Sequence, residues 1–124
     1  MSLLEADAEF LTRKGYLTEV TLENSFVNLV IKNFPLGPAY SPNEAELLIR
    51  LPPGYPQGHP DMFWTSPRVQ RVGGGDPQTA TVEETYLGRA WQRWSRHWSA
   101  PWRPGTDGLH TFIAATLCEL EKGK

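Results

Sequence analysis

With 124 residues, 40% hydrophobic and 21% charged, the chain can bury one core and is too short for two, so a single domain over 1–124 is expected. Twelve basic against fourteen acidic side chains leave a net charge of -2, too balanced to mark a nucleic-acid or membrane partner by bulk electrostatics. The one cysteine, Cys118, excludes an internal disulfide or a cysteine metal cluster and points to a reducing compartment.

Leu4, Ala8 and Leu11 fall at helical spacing, with acids early, Arg13-Lys14 late and Gly15 placed to cap, which predicts a short first helix. Thr18 to Leu22 and Ser25 to Phe34 are rich in Val, Thr, Phe and Ile and read as two strands turned at Glu23-Asn24. Ala45, Leu47, Ile49 and Leu51 alternate with Glu44, Glu46, Leu48 and Arg50, the pattern of a strand with one buried face. Pro52, Pro53, Pro56 and Pro60 follow. Each removes a backbone donor and fixes φ at about −65°, so this stretch is a stiff extended turn rather than a paired strand. Met62 to Thr65 then reads as a fourth short strand. VGGGDPQT at 72–79 is a loop by composition, and Tyr86 to Trp94 reads as a short helix. Thr106 or Asp107 is placed to cap a last helix, with Leu109, Phe112, Ile113, Thr116, Leu117 and Leu120 on one face. Strands are grouped rather than alternating with helices, so the class is α+β: an N-terminal helix, a four-stranded antiparallel meander and a C-terminal helix. No apolar run approaches the roughly 20 residues that span a bilayer, and the start lacks a signal-peptide pattern; a cytoplasmic protein is expected.

That order, with Tyr55-Pro56, Pro60 ahead of Met62 to Trp64, and Trp102-Arg103-Pro104 ahead of the last helix, resembles the ubiquitin-conjugating enzymes over nearly the whole chain. WSRHW at 94–98 followed by WRPGTDGL at 102–109 is similar, more narrowly, to the bacterial family E of ubiquitin-conjugating-enzyme-like proteins. The resemblance implies the conjugating-enzyme-like fold, in which Tyr55, Pro56 and Pro60 form a structural turn that holds the fourth strand against the site. It also implies a ubiquitin-like protein and an activating-enzyme-like protein as partners, since such proteins tend to be encoded beside the family.

The departures bear on chemistry. A conjugating enzyme carries its thioester on a cysteine roughly eight residues before the tryptophan of Trp-x-Pro, where the thiolate is the nucleophile. Counting back from Trp102 gives Trp94, and no cysteine precedes Leu117. The His-Pro-Asn tripeptide that stabilises the oxyanion is absent too: His59-Pro60 is followed by Asp61 and comes too early.

No residue is therefore assigned as catalytic, and His97 is the candidate. It sits among Arg89, Arg93, Arg96 and Arg103 with no acid between Thr85 and Thr106, and imidazole is the natural acid-base group near neutral pH. The structural alternative has Arg96 and His97 bonded to backbone carbonyls that lock an irregular loop. Cys118 lies opposite the apolar stripe of its helix and is read as incidental. Trp91, Trp94, Trp98 and Trp102 recur at intervals of three or four and would form one ridge on a helical path. Core packing is their default; exposed, Trp94, Arg96, His97, Trp98, Trp102 and Arg103 would be partner-binding residues, since Trp and Arg anchor interfaces. Interleaved Arg and Trp also suit single-stranded nucleic acid, a partner the balanced charge disfavours. His59, His97 and His110 lack ligand-like spacing, so neither metal nor cofactor is expected. Gly73-Gly74-Gly75 reads as a flexible loop and Glu83-Glu84 as a solvated pair.

Three readings follow. The first is a conjugating-enzyme-like pathway component without the standard cysteine, binding a ubiquitin-like protein or its activating enzyme. The second is an acyl transferase using His97 or, failing that, Cys118; the third is a single-stranded nucleic-acid-binding domain.

Overall fold

The structure is a computed structural model that describes residues 3–124. Helix α1 (Glu5–Lys14) ends on Gly15, whose N–H meets the carbonyls of Leu11 and Thr12. Its buried face is Asp7, Phe10 and Leu11 rather than the predicted Leu4, Ala8 and Leu11. The register shifts because Asp7 has tertiary partners, described below. Strands β1 (Leu17–Glu23) and β2 (Phe26–Pro35) pair antiparallel, with Asn24 and Ser25 at positive φ in the turn, one residue later than predicted. Two central residues of that conformation match the twist of the flanking strands.

Beyond the short β3 (Tyr40–Ser41), strand β4 (Glu44–Leu51) pairs with β2, and β5 (Phe63–Ser66) pairs with β4 after the proline turn. The predicted meander is present but does not end there. Segment 86–94 is no helix: β7 (Val82–Tyr86) and β8 (Arg89–Trp94) form a hairpin, and β8 pairs with β5. Leu87 and Gly88 make its turn, both at positive φ, a conformation that glycine adopts at no steric cost and that breaks a helix. The sheet thus has six strands in the order β1-β2-β4-β5-β8-β7, every pair antiparallel, while β3 and β6 (Gln70–Arg71) form a separate two-stranded ribbon. Helix α2 (Leu109–Glu121) closes the chain. The class is α+β, and neither helix is long and apolar enough to cross a membrane.

One face of the sheet carries the main core. Leu47, Ile49 and Leu51, the predicted inner face, pack with Leu29, Ile31, Phe34, Phe63 and Trp94 against α1 and the apolar stripe of α2. The opposite face is covered as well. Val30, Leu48, Trp64 and Trp91 form a second buried cluster beneath Met62, Tyr86 and Leu87. Arg50 closes it with a guanidinium 4.1 Å from the Phe26 ring centre and 3.9 Å from that of Tyr86, an arrangement that shelters its apolar stem and uses its charge against two π faces. The β7–β8 hairpin curls over this face far enough for the Leu87 N–H to donate to Glu23, and for Arg89 to pair with Glu46. Glu84 is accordingly no solvated acid: it accepts from the Trp64 indole, the Tyr86 hydroxyl and Arg93.

Two polar knots tie the elements to one another. Buried Gln92 accepts from Thr65 and the Val69 N–H and donates to the carbonyls of Val69 and Ala80, pinning the loop between β5 and β7. At the start of α2, the side-chain cap comes from neither Thr106 nor Asp107. Asp7 of α1 accepts the Leu109 N–H at 3.2 Å, and Gly108 permits this approach, since a Cβ there would stand 3.1 Å from the Asp7 oxygen. Asp107 accepts the Arg103 N–H instead, at 2.9 Å.

Candidate functional site

The proline turn and the loop that follows β8 meet at the N-terminal end of α2. Tyr55 is held by its hydroxyl, which donates to Asp7 at 2.7 Å. Burial, and then this bond to a carboxylate, push the phenol well above its usual range, so it remains a donor. Its ring faces Trp102 at 6.3 Å between centres, and the Trp102 indole N–H donates to the Pro56 carbonyl at 2.7 Å. His59 lies against both later tryptophans, 5.7 Å from Trp102 and 6.4 Å from Trp98. Trp98 meets Trp102 edge-on at 5.3 Å and stacks on Phe112 of α2 at 6.2 Å. The stiff turn is thus one wall of an aromatic box, and the loop from Ser95 to Pro104 is the other. Within the box the Trp98 indole N–H is buried without a partner among the described residues.

Beyond Pro60, which is buried, the carboxylate of Asp61 points to the loop. One oxygen accepts the Trp98 backbone N–H at 3.1 Å, and the other lies 2.6 Å from His97 Nδ1. An acid that the loop's own sequence lacks is therefore supplied from across the fold. Asp61 was not anticipated as a site residue; its one signal was its place as the first acid after a rigid turn. His97 makes no bond to a backbone carbonyl among the described residues, and its side chain is 60% exposed. Arg96 behaves differently. Its guanidinium donates to the carbonyls of Gln78 and Lys124, at 3.0 and 2.6 Å, and lies 4.8 Å from the Trp94 ring centre. Arg96 thus locks the loop, and His97 stands clear of it.

Between this loop and α2 lies a groove of about 150 Å³, lined by Asp61, Phe63, His97, Trp98, Phe112 and Thr116 among others. Cys118, exposed on the same helix, lies outside this lining. The arginines grouped with His97 in the sequence disperse: Arg89 pairs with Glu46, Arg93 with Glu84, and Arg103 lies 3.8 Å from Asp107 with a largely exposed side chain. The four tryptophans form no single ridge. Trp91 and Trp94 lie on a strand, three residues apart, and so point to opposite faces of the sheet, whereas Trp98 and Trp102 lie in the loop. Trp94 is fully buried, stacked on Phe63 at 5.2 Å with its N–H on Thr65. Among the described residues, no three His, Cys, Asp or Glu side chains are grouped to hold a metal ion.

No curated protein and no solved structure gave a match to this chain. Residues 3–123 match the prokaryotic E2 family E, nearly the whole length, and the chain belongs to that family.

Proposed function

We propose that the protein is a conjugating-enzyme-like component of a bacterial ubiquitin-like modification pathway, acting in the cytoplasm, that binds a ubiquitin-like protein or its activating enzyme without carrying a thioester of the standard kind. The observation that carries this reading is Trp94. At the position where the resemblance would place the thioester cysteine stands a fully buried ring of the main core, with its N–H bonded to Thr65. That position belongs to packing, and nothing reactive can be presented from it. The neighbouring surface has the composition of an interface instead: half-buried Trp98 and Trp102 beside exposed Arg103, residue types that dominate binding hot spots. The arrangement of an antiparallel sheet, a proline turn and a closing helix supports the conjugating-enzyme-like fold.

The test mixes the purified protein with a ubiquitin-like protein and an activating-enzyme-like protein from the same genome. Calorimetry is expected to report binding that Arg103→Glu weakens, and ATP is expected to yield no thiol-sensitive adduct. An adduct that forms on the native protein and vanishes in Cys118→Ser would overturn the reading and move the chemistry to α2.

A second reading, acyl transfer involving His97, is favoured by one specific observation, the contact of its ring with Asp61.

A further inference from the structure

We propose that Asp61 and His97 form a proton-transfer pair at the groove, in which His97 is the general base for an incoming amine or water that attacks an acyl group carried as a thioester on a partner. Asp61 is its positioning residue. The inference rests on the second reading above, that the loop carries chemistry, and it assigns the nucleophile to the incoming molecule rather than to this chain.

The proton inventory comes first. An ionised carboxylate only accepts, so in the neutral ring the 2.6 Å contact places the imidazole proton on Nδ1 and leaves the Nε2 lone pair to act as a base. Nε2 has no partner among the described residues, and the ring is 60% exposed. The carboxylate is itself fixed, because the Trp98 N–H holds its other oxygen. This is the order of a base and its orienting acid: the acid holds the ring's angle and tautomer, and the ring holds the lone pair. The other charged groups of the groove are already engaged. Arg96 donates to backbone carbonyls, and Glu119 bonds Lys122 at 2.6 Å. Ser99 also lines the groove but makes no hydrogen bond to His97, so it is not activated.

Stability does not account for the pair. Even counted as an ion pair, an exposed contact contributes about 0–1 kcal/mol, and Arg96 and Trp102 already tie the loop down. The groove is small: its 150 Å³ compares with the ~300–1,000 Å³ of sites for drug-sized molecules. It admits a thin acyl chain or an extended peptide end. Phe63, Trp98 and Phe112 give it apolar walls.

In the step itself, the amine nitrogen bonds to the acyl carbon as its proton passes to His97 Nε2. The carbon–sulfur bond breaks, and the leaving thiolate takes the proton back from the imidazolium. A thioester and an amine become an amide and a thiol, and the ring ends neutral; with water in place of the amine, the products are an acid and a thiol.

The test uses the N-acetylglycine thioester of mercaptoethanesulfonate, with butylamine or water as acceptor, and follows thiol release and amide formation separately. The native protein is expected to raise the rate at least about a hundredfold over His97→Gln, the lower end of the ~10²–10⁴-fold range of general acid-base catalysis. Asp61→Asn is the sharper variant. Its amide oxygen still accepts the Trp98 N–H, but its NH₂ now donates to Nδ1, which forces the ring proton onto Nε2. The rate constant, not KM, should fall, and imidazole nitrogen NMR should show the exchanged tautomer; a merely structural contact moves neither. Equal rates in the native, His97→Gln and Asp61→Asn proteins, with no adduct, would sink both this proposal and the reading beneath it. A hydroxylamine-sensitive acyl adduct on His97, with turnover retained in Asp61→Asn, would keep chemistry at the loop and overturn the base assignment. Loss of turnover in Ser99→Ala would place the nucleophile on this chain and overturn it as well.

Discussion

Two pairs of tryptophans, similarly spaced along the chain, meet opposite fates. Trp91 and Trp94 lie on β8, where side chains alternate, so one enters the outer cluster and the other the main core. Trp98 and Trp102 follow where the backbone has left the sheet, and both remain half-buried, facing each other across an edge-on contact with His59 beside them. The difference teaches that an aromatic ring's role is set by what its backbone is paired with. Strand pairing on both sides of β8 commits a ring to one face or the other, whereas the loop is held by a few polar bonds and leaves its rings at a surface.

The first way to break this contrast is Trp94→Ala. It removes a fully buried ring and the donor to the Thr65 hydroxyl, which keeps its bond to Gln92, and should cost about 3–5 kcal/mol in urea denaturation. A loss comparable to that of His97→Ala would mean the core does not depend on β8 as described.

Next is the bond that joins the proline turn to both helices. Tyr55→Phe leaves buried Asp7 with one donor fewer and should cost about 1–3 kcal/mol. Because Asp7 also caps α2 and Tyr55 lies against Trp102, hydrogen exchange should rise both at Leu109 and across 95–104. Faster exchange confined to the turn would uncouple it from the loop.

The two loop tryptophans can then be separated from each other. Trp102→Phe breaks a bond to the Pro56 carbonyl, whereas Trp98→Phe removes a donor that is buried without a partner. Trp98→Phe should therefore be the milder substitution, by about 1 kcal/mol. The reverse order would show that the Trp98 N–H has found an acceptor.

The smallest effect is acid sensitivity on the Trp91 side. Burial works to raise the Glu84 carboxyl, but hydrogen bonds from Trp64 and Tyr86 and the charge of Arg93 outweigh it and hold the group below its ordinary 4.5. Glu46 is lowered likewise, against its burial, by bonds from Lys32 and Arg89. The unfolded chain then binds these protons first, so the stability they contribute is complete above the ordinary glutamate range and is lost as pH falls below it, through the lowered range of the folded groups. Glu84→Gln should flatten the acid limb of a stability–pH curve; an unchanged limb would place the sensitivity elsewhere.

Much of this was legible in advance, where the determinant was local. The alternation through Leu47, Ile49 and Leu51 identified the buried face of β4, the prolines identified a turn that cannot pair, and the stripe from Leu109 to Leu120 identified α2. The helix read over 86–94 failed for a physical reason. Large apolar residues at intervals of three or four satisfy a helical ridge, and they equally satisfy a strand buried on both faces. Only the pairing of β8 with β5 and β7 decides between them, together with the Leu87-Gly88 turn.

By itself, then, the sequence determined the α+β class, the rigid turn, the two helices and the lack of a cysteine before Leu117, since each depends on backbone preference, periodicity or residue count. Tertiary structure alone decided that Asp7 would cap α2 from 102 positions away, and that Asp61 would meet His97 across 36. A carboxylate's partner is whichever donor the fold brings within about 3 Å, and no local window of sequence encodes that distance.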